Sequence, residues 1–305
     1  MPEGFSAAGI VLVDKPQGMT SHDVVARARR LLGTRRVGHA GTLDPSATGL
    51  LVLGVNSATR LLTWLVGLDK EYLATIRLGS STPTDDADSP ADVYAPAGDV
   101  AAITEDQLAQ QVARLTGDIL QVPSAVSAIK VDGRRSYARV RAGEAVALPA
   151  RPVTVSAFEV LSLHRGAAAG RDHLDVEVRV ECSSGTYIRA LARDLGTALG
   201  VGGHLTTLRR TRVGPFPVAE AIDVEAIAPD ALTAPAEIAA RLFPTVRLDE
   251  ERTRDIIHGK RLSAAALPET AGPIAAITPD GDLLALLSVS GSSARSLVVF
   301  PREPA

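Results

Sequence analysis

The sequence predicts an α+β fold: a main body of helices and strands, followed by a small β-rich module at the C-terminal end. Three observations point there. Apolar residues alternate strictly in LDVEVRVEC at 174–182, whereas Val24, Val25, Ala28, Leu31 and Leu32 recur at helical spacing. Beyond residue 244, short strand-like pieces alternate with Gly and Pro turns, as in PIAAITPDGDLLALLSV and SLVVFP. At 305 residues, 46% hydrophobic and 22% charged, the chain can form one large core or two domains.

The first strand is IVLV, at 10–13. It follows no basic segment and runs directly into Asp14 and Lys15, which argues against a signal peptide. A Pro-Gly turn leads to Thr20 and Asp23, which stand at capping-box spacing with Asp in place of the longer Glu. The helix they open has a buried stripe, a basic outer side carrying Arg27, Arg29 and Arg30, and Gly33 to end it. LLVLGV predicts a buried strand, ATRLLTWLVG a helix with Trp64 in the core, and EYLATIRLG another strand. The Pro-, Ser- and Asp-rich stretch after residue 80 predicts a loop, and Thr104 starts a helix carrying Leu108, Val112 and Leu115. Residues 123–152 hold many charges and few large apolar side chains, and predict an excursion from the core. In 174–182 the inward face ends on Cys182, so packing is the expected role of that thiol. SSGT then makes a turn into the helix YIRALARDLGTALG, and the Pro-flanked stretch at 227–244 predicts a joint before the C-terminal module.

Charge is informative through its distribution. The formal net charge is −3. Leu78 to Ala113 contains no Lys or Arg but includes Asp85, Asp86, Asp88 and Asp92, a stretch expected to be solvated and turned away from a polyanion. Arginines and lysines gather instead at 27–36, 130–141 and 189–212, which on charge alone fits one basic face or three solvated surfaces equally. A single cysteine excludes an intrachain disulfide and suits the cytoplasm, and no apolar run approaches the ~18 residues of a membrane span.

Several site types are absent from the sequence. There is no phosphate-binding glycine loop, no dinucleotide fingerprint, no zinc-protease pair and no nucleophile elbow. The six histidines never approach metal-ligand spacing, so no histidine metal site is expected. What remains is one carboxylate, Asp44, in the Gly- and Pro-rich GHAGTLDPSATG, with the apolar LLVLG just behind it. On these residues alone a structural Asp-Pro turn is the favoured account. Desolvation would favour the protonated acid, and a guanidinium would reverse that. Arg189, at the start of a helix after a buried strand, is the candidate. An ionised, sheltered carboxylate suits chemistry at a sugar carbon, but a hydrolytic glycosidase needs a second acid that does not stand out here.

Six stretches then carry a resemblance. They are GIVLVDKPQGMTSHDVV at 9–25, RRVGHAGTLDPSATGLLVLG at 35–54 and DKEYLATIRLGSSTPTDDADS at 69–89, followed by VPSAVSAIKVDGRRSYARVRAGE at 122–144, CSSGTYIRALARDLG at 182–196 and GGHLTTLRRTRVGPF at 202–216. In this order they resemble the bacterial TruB-type tRNA pseudouridine synthases. The resemblance implies a mixed, mostly antiparallel central sheet flanked by helices in a catalytic domain of residues 1–243, with residues 123–152 as an RNA-binding loop. Residues 244–305 would form a PUA-like RNA-binding barrel.

The implied activity is isomerisation of uridine to pseudouridine at position 55, in the T-arm loop of tRNA, without metal or cofactor. The family's catalytic aspartate falls on Asp44, its base-stacking tyrosine on Tyr72, and its aspartate-pairing arginine on Arg189. His39, Tyr187 and Leu208 fall on positions that line the pocket or hold the RNA, and Lys15 belongs to the N-terminal motif. Arg209 and Arg210 are expected at the pocket rim, on phosphates. The partner implied is the tRNA T-arm stem-loop, with no membrane, no obligate protein partner and no need for more than a monomer. A non-catalytic tRNA-binding or RNA-folding protein on the same scaffold is the alternative.

Overall fold

In chain order the elements that position the candidate residues are β1 (Gly9–Lys15), α1 (Ser21–Leu31), β2 (Val37–Ala40), β3 (Thr48–Val55), α2 (Leu62–Val66), β4 (Lys70–Leu78) and α3 (Glu105–Arg114). They continue as β5 (Gly117–Gln121), β6 (Arg151–Ala168), β7 (Arg171–Cys182), α4 (Ile188–Ala198), β8 (Gly203–Val213), α5 (Pro235–Leu242), β9 (Thr245–Arg247) and α6 (Glu250–Ile257). β10 (Ile274–Ile277), β11 (Leu283–Ser290) and β12 (Ser293–Val299) complete the set. The computed structural model describes residues 7–124, 130–131, 134–135, 148–168 and 170–301. Most of the predicted excursion at 123–152 therefore lies outside the described residues.

The chain divides into two compact units, one of Met1–Pro45, Gly49–Val66 and Pro215–Ala305, the other of Ser46–Thr48 and Gly67–Gly214. In the first unit β1 pairs antiparallel with β3 and parallel with Ile222–Asp223, and β2 pairs antiparallel with β3. Helix α1 covers this sheet. Its capping box forms as the spacing predicts, with the Thr20 hydroxyl accepting from Asp23 N at 3.0 Å and the Asp23 carboxylate accepting from Thr20 N at 2.8 Å. Val24, Val25, Ala28 and Leu32 pack on Val11, Val13, Leu51, Leu53 and Val55.

Three expectations need correcting in this unit. The predicted helix at ATRLLTWLVG is a 3-10 turn, Asn56–Leu61, followed by the short α2. Asn56 sets the break: its φ is +52°, its amide donates to the Ala7 carbonyl at 2.7 Å, and its oxygen receives the Thr34 hydroxyl at 2.8 Å. These side-chain bonds favour a turn over a helix start. Trp64 is half-buried and packs edge-on to Phe243, rather than sitting in the core. The stretch at 227–244 is also more than a joint. Thr233 exchanges two backbone bonds with Ile10, at 2.8 and 2.9 Å, and α5 buries Ile238 and Ala239.

The C-terminal part forms its own sheet, in the order β9, β10, β11, β12 and Leu262–Ser263, with only the β9–β10 pair parallel. Its core is Leu248, Ile256, Leu262, Ile274, Leu284, Leu287 and Ala294. A β-rich module is what the strand-like pieces with Gly and Pro turns predicted.

The second unit is a five-stranded antiparallel sheet in the order β8, β4, β7, β6, β5. β7 shows the alternation read from the sequence: Leu174, Val176, Val178, Val180 and Cys182 are buried, and the residues between them are not. Cys182 is fully buried, and burial pushes its thiol up to about 11, in keeping with packing rather than reactivity. Helix α4 lies on the inner face with Ile188, Leu191 and Leu195 buried. At the start of β8 it approaches so closely that a Cβ on Gly196 would lie 2.2 Å from Gly202 C and Gly203 N. Those are backbone atoms and cannot yield. Gly196→Ala would gain ~1 kcal/mol of helix propensity yet force α4 off the sheet, so we expect a net loss of about 2 kcal/mol, read as a lower urea midpoint.

Candidate functional site

In the first unit the loop between β2 and β3 carries Asp44, which is half-buried. Its side chain is short, so its position depends on the backbone around it. Ser21, buried at the first position of α1, holds the preceding residue from both sides. Its hydroxyl donates to the Leu43 carbonyl at 3.1 Å and accepts from Leu43 N at 2.9 Å. The following residue is held as well, because the Pro45 carbonyl accepts from Gly18 N at 2.8 Å and from the Lys15 ammonium at 3.3 Å. Behind the loop, Leu50, Leu51, Val52 and Leu53 are wholly buried.

Lys15, expected at the substrate, is fully buried, and its ammonium also donates to the Pro16 carbonyl at 3.0 Å and the Met19 carbonyl at 2.7 Å. A charge out of water needs such partners. Through the Pro45 carbonyl its ammonium ties the end of β1 to the Asp44 turn. His39 lies on β2 opposite Leu53, half-buried, with its ring edge-on to His22 at 5.6 Å between centroids.

In the second unit Tyr72 lies on the buried face of β4, between Val180 of β7 and Arg210 of β8. Leu208 is opposite Ala74, two positions further along. Arg209 and Arg210 do not form the rim pair that adjacency suggested, because consecutive strand residues point to opposite faces. Arg210 is buried at 1% exposure beside Tyr72, whereas Arg209 is half-exposed, with Nη1 3.5 Å from the Thr48 hydroxyl.

Arg189, at the first turn of α4, is 5% exposed. Within this unit its Nη1 donates to the Thr84 carbonyl at 2.9 Å and lies 3.4 Å from the Asp86 carboxylate. The acidic stretch expected to be solvated therefore turns inward at this point, because a buried guanidinium demands a counter-charge. Asp86 is shaped for the role. One carboxylate oxygen accepts from the Thr84 hydroxyl at 2.6 Å and from Asp88 N at 3.0 Å, and the Thr82 hydroxyl holds its carbonyl at 2.7 Å. Asp85, next to it, sits at a φ of +58° and pairs with Arg193 at 3.3 Å. Burial pushes the Asp85 carboxyl up, while the Ser124 hydroxyl and Arg193 act against that rise. Sequence reasoning missed Asp86. The signal was present in the threonines interleaved with the acids of TPTDDADS, a pattern suited to side-chain-to-backbone bonding rather than to a solvated run.

Lys70 begins β4 on the same buried face as Tyr72, opposite Cys182, and its ammonium donates to the Leu68 carbonyl. Among the described residues no cluster of three or more His, Cys, Asp or Glu could hold a metal ion. No helix among them is long and apolar enough to cross a membrane.

Asp86→Asn would leave the buried Arg189 guanidinium without that counter-charge, and we expect a loss of about 3 kcal/mol in urea unfolding. A second expectation concerns alkaline pH. Burial, reinforced by the Arg210 charge, lowers Lys70 from its ordinary 10.5 to about 8. Between these values the unfolded chain binds the proton and the folded chain does not, so the Lys70 contribution to stability should rise with pH from about 8 to 10.5. Lys70→Met should flatten that rise in a series of urea midpoints.

Comparison with known proteins places these residues in a family. The model described as TruB family pseudouridylate synthase (N terminal domain) matches residues 29–188. Two C-terminal models follow, tRNA pseudouridylate synthase B C-terminal domain at 189–247 and tRNA Pseudouridine synthase II, C terminal, at 243–301. The tRNA pseudouridine synthase B of Leifsonia xyli subsp. xyli (strain CTCB07) is 58% identical over 98% of this chain and 99% of that protein. The protein of the same name from Paenarthrobacter aurescens (strain TC1) is 57% identical over 96% of this chain and 95% of its own. Among solved structures, a Cbf5-Nop10-Gar1 complex aligns with a TM-score of 0.69 at 27% identity, covering 96% of this chain and 85% of that one. An H/ACA RNP bound to a substrate RNA containing 2'-deoxyuridine aligns equally well, with a TM-score of 0.69 at 25% identity over 97% of this chain and 86% of that one. A core of mixed sheets, an acid held in a clamped turn and near end-to-end identity above one half lead to one conclusion: this chain belongs to the TruB family of pseudouridylate synthases.

Proposed function

We propose that this chain isomerises uridine to pseudouridine in tRNA, at position 55 of the T-arm loop. The observation that carries the reading is the Asp44 turn, whose backbone is pinned on both sides by hydrogen bonds from Ser21, Gly18 and Lys15. Such a turn presents one carboxylate in a fixed place, which is what attack at a ribose carbon requires.

The reaction breaks the N1–C1′ bond, turns the uracil and joins C5 to C1′. The proton leaves C5 and one is gained at N1, so no atom is added or lost overall. The target base first leaves its stack, at a cost of about a few kcal/mol. Tyr72 offsets part of this by stacking on the base, a contribution of about 1–3 kcal/mol. Asp44, ionised, either bonds to C1′ or removes the C2′ proton. Arg189 supplies the positive charge that keeps the acid ionised, and Tyr72 assists removal of the C5 proton. His39, Tyr187 and Leu208 line the pocket. Arg209, half-exposed, is suited to a phosphate, whereas Arg210 and Lys15 act from the interior. A redox-neutral isomerisation of this kind calls for no cofactor.

In this reading residues 1–243 form the catalytic domain with the RNA-binding loop at 123–152, and 244–305 form a PUA-like RNA-binding domain. The protein works as a cytoplasmic monomer on the T-arm stem-loop of tRNA. The non-catalytic alternative leaves the pinned acid and the buried arginine without a purpose.

Incubation with unmodified tRNA, without added metal, should produce pseudouridine in the T-arm loop. Asp44→Asn should abolish turnover and leave tRNA binding nearly intact. Turnover surviving in that variant would overturn the reading.

A further inference from the structure

Helix α4 carries Arg189 two residues after its N-cap, Tyr187, and this cap has no side-chain hydrogen bond of its own kind. A helix start leaves backbone N–H donors that need partners elsewhere. For Tyr187 they come from a residue far away in the chain. The Gln121 carboxamide accepts from Tyr187 N at 2.8 Å and donates to the Tyr187 carbonyl at 3.1 Å. Gln121 is 1% exposed, at the end of β5. Only one orientation of the amide satisfies both bonds, since its oxygen must face the N–H and its nitrogen the carbonyl. The next residue is tied to the same helix, because Arg193 donates to the Val122 carbonyl at 2.7 Å. One turn of α4 is thus fastened to the end of β5 at two places, on either side of Arg189.

We propose that Gln121 is a positioning residue for the reaction, fixing the backbone from which both Tyr187 and Arg189 project. The proposal rests on the active-site reading above. A carboxamide buried at the end of a strand could have been apolar if filling space were its whole purpose. Its two bonds instead close a ring on the N–H and C=O of a single residue, a constraint on rotation as well as on distance. Arg189 is long, but its guanidinium is also held by Thr84 and Asp86, so a shift at Tyr187 would pull it against fixed partners. Small displacements of this kind lower rate far more than affinity.

The test compares Gln121→Leu and Gln121→Glu with the unaltered protein in single-turnover pseudouridine formation at saturating enzyme, beside tRNA binding and thermal unfolding. Gln121→Leu keeps the shape and loses both bonds. Its single-turnover rate should fall roughly tenfold or more, with tRNA affinity unchanged. Gln121→Glu supplies the informative readout. A protonated carboxylic acid offers one donor and one acceptor, as the amide does, whereas the carboxylate offers no donor and faces the Tyr187 carbonyl. Burial raises the pKa of such an acid. The rate of Gln121→Glu relative to the unaltered protein should therefore increase as pH falls from about 8 to about 6. A Gln121→Leu enzyme of full rate overturns the proposal. So does a loss confined to thermal stability, or a Gln121→Glu ratio that does not change with pH. Asp44→Asn, run alongside, separates the two levels. If it is inert while Gln121→Leu keeps full rate, the positioning role alone fails; if it turns over, the active-site reading fails and takes the positioning role with it.

Discussion

The guanidinium of Arg189 is a positive charge taken almost wholly out of water, and much of the second unit is arranged around that fact. Removing such an ion from water carries an effective penalty of several kcal/mol, repaid only by close partners of good geometry. The chain provides them by folding its most acidic stretch inward, so that Asp86 and the Thr84 carbonyl meet the guanidinium. The loop is shaped by threonine hydroxyls on Asp86, and the left-handed φ of +58° at Asp85 is part of the same turn. Strain of that sort costs of order 1–3 kcal/mol and persists only where surrounding bonds over-determine it.

The same logic governs the Asp44 turn in the other unit. An aspartate has one methylene between backbone and carboxylate, so its placement is only as good as that of its own peptide. Ser21 fixes the residue before, and Gly18 and Lys15 fix the residue after. Gln121 does for Tyr187 what Ser21 does for Leu43, with a single buried polar side chain bonded to both the N–H and the C=O of one residue. The side chains of Ser21, Lys15 and Gln121 are buried, where a hydrogen bond is least weakened by competition from water.

The balance of charge in this chain reflects such pairings more than its partner. A net charge of −3 sits poorly with an RNA substrate if every acid is counted as surface. Many acids are occupied within the second unit: Asp175 by Arg77, Glu71 and Glu159 by Arg179, Glu181 by Arg179 and Arg212, Asp85 by Arg193. A sum over the sequence cannot separate charges that are spent internally from those that face outward, which is why the acidic stretch from residue 85 read as a solvated loop.

What the sequence determined by itself is local or carried in contiguous motifs. The capping boxes at Thr20 and Thr104, the alternation of β7, the inward Cys182 and the stretches around Asp44, Tyr72 and Arg189 were all legible, because each depends on residues within a turn or a strand of one another. Tertiary structure alone decided the interior burial of Lys15, the opposite facing of Arg209 and Arg210, the break at Asn56, and the roles of Asp86 and Gln121. These rest on polar bonds across long separations, 66 residues for Gln121 and Tyr187 and 105 for Thr84 and Arg189. Periodicity records which face of an element is apolar, and it carries no record of which distant backbone group a lone polar side chain will meet once that face is buried.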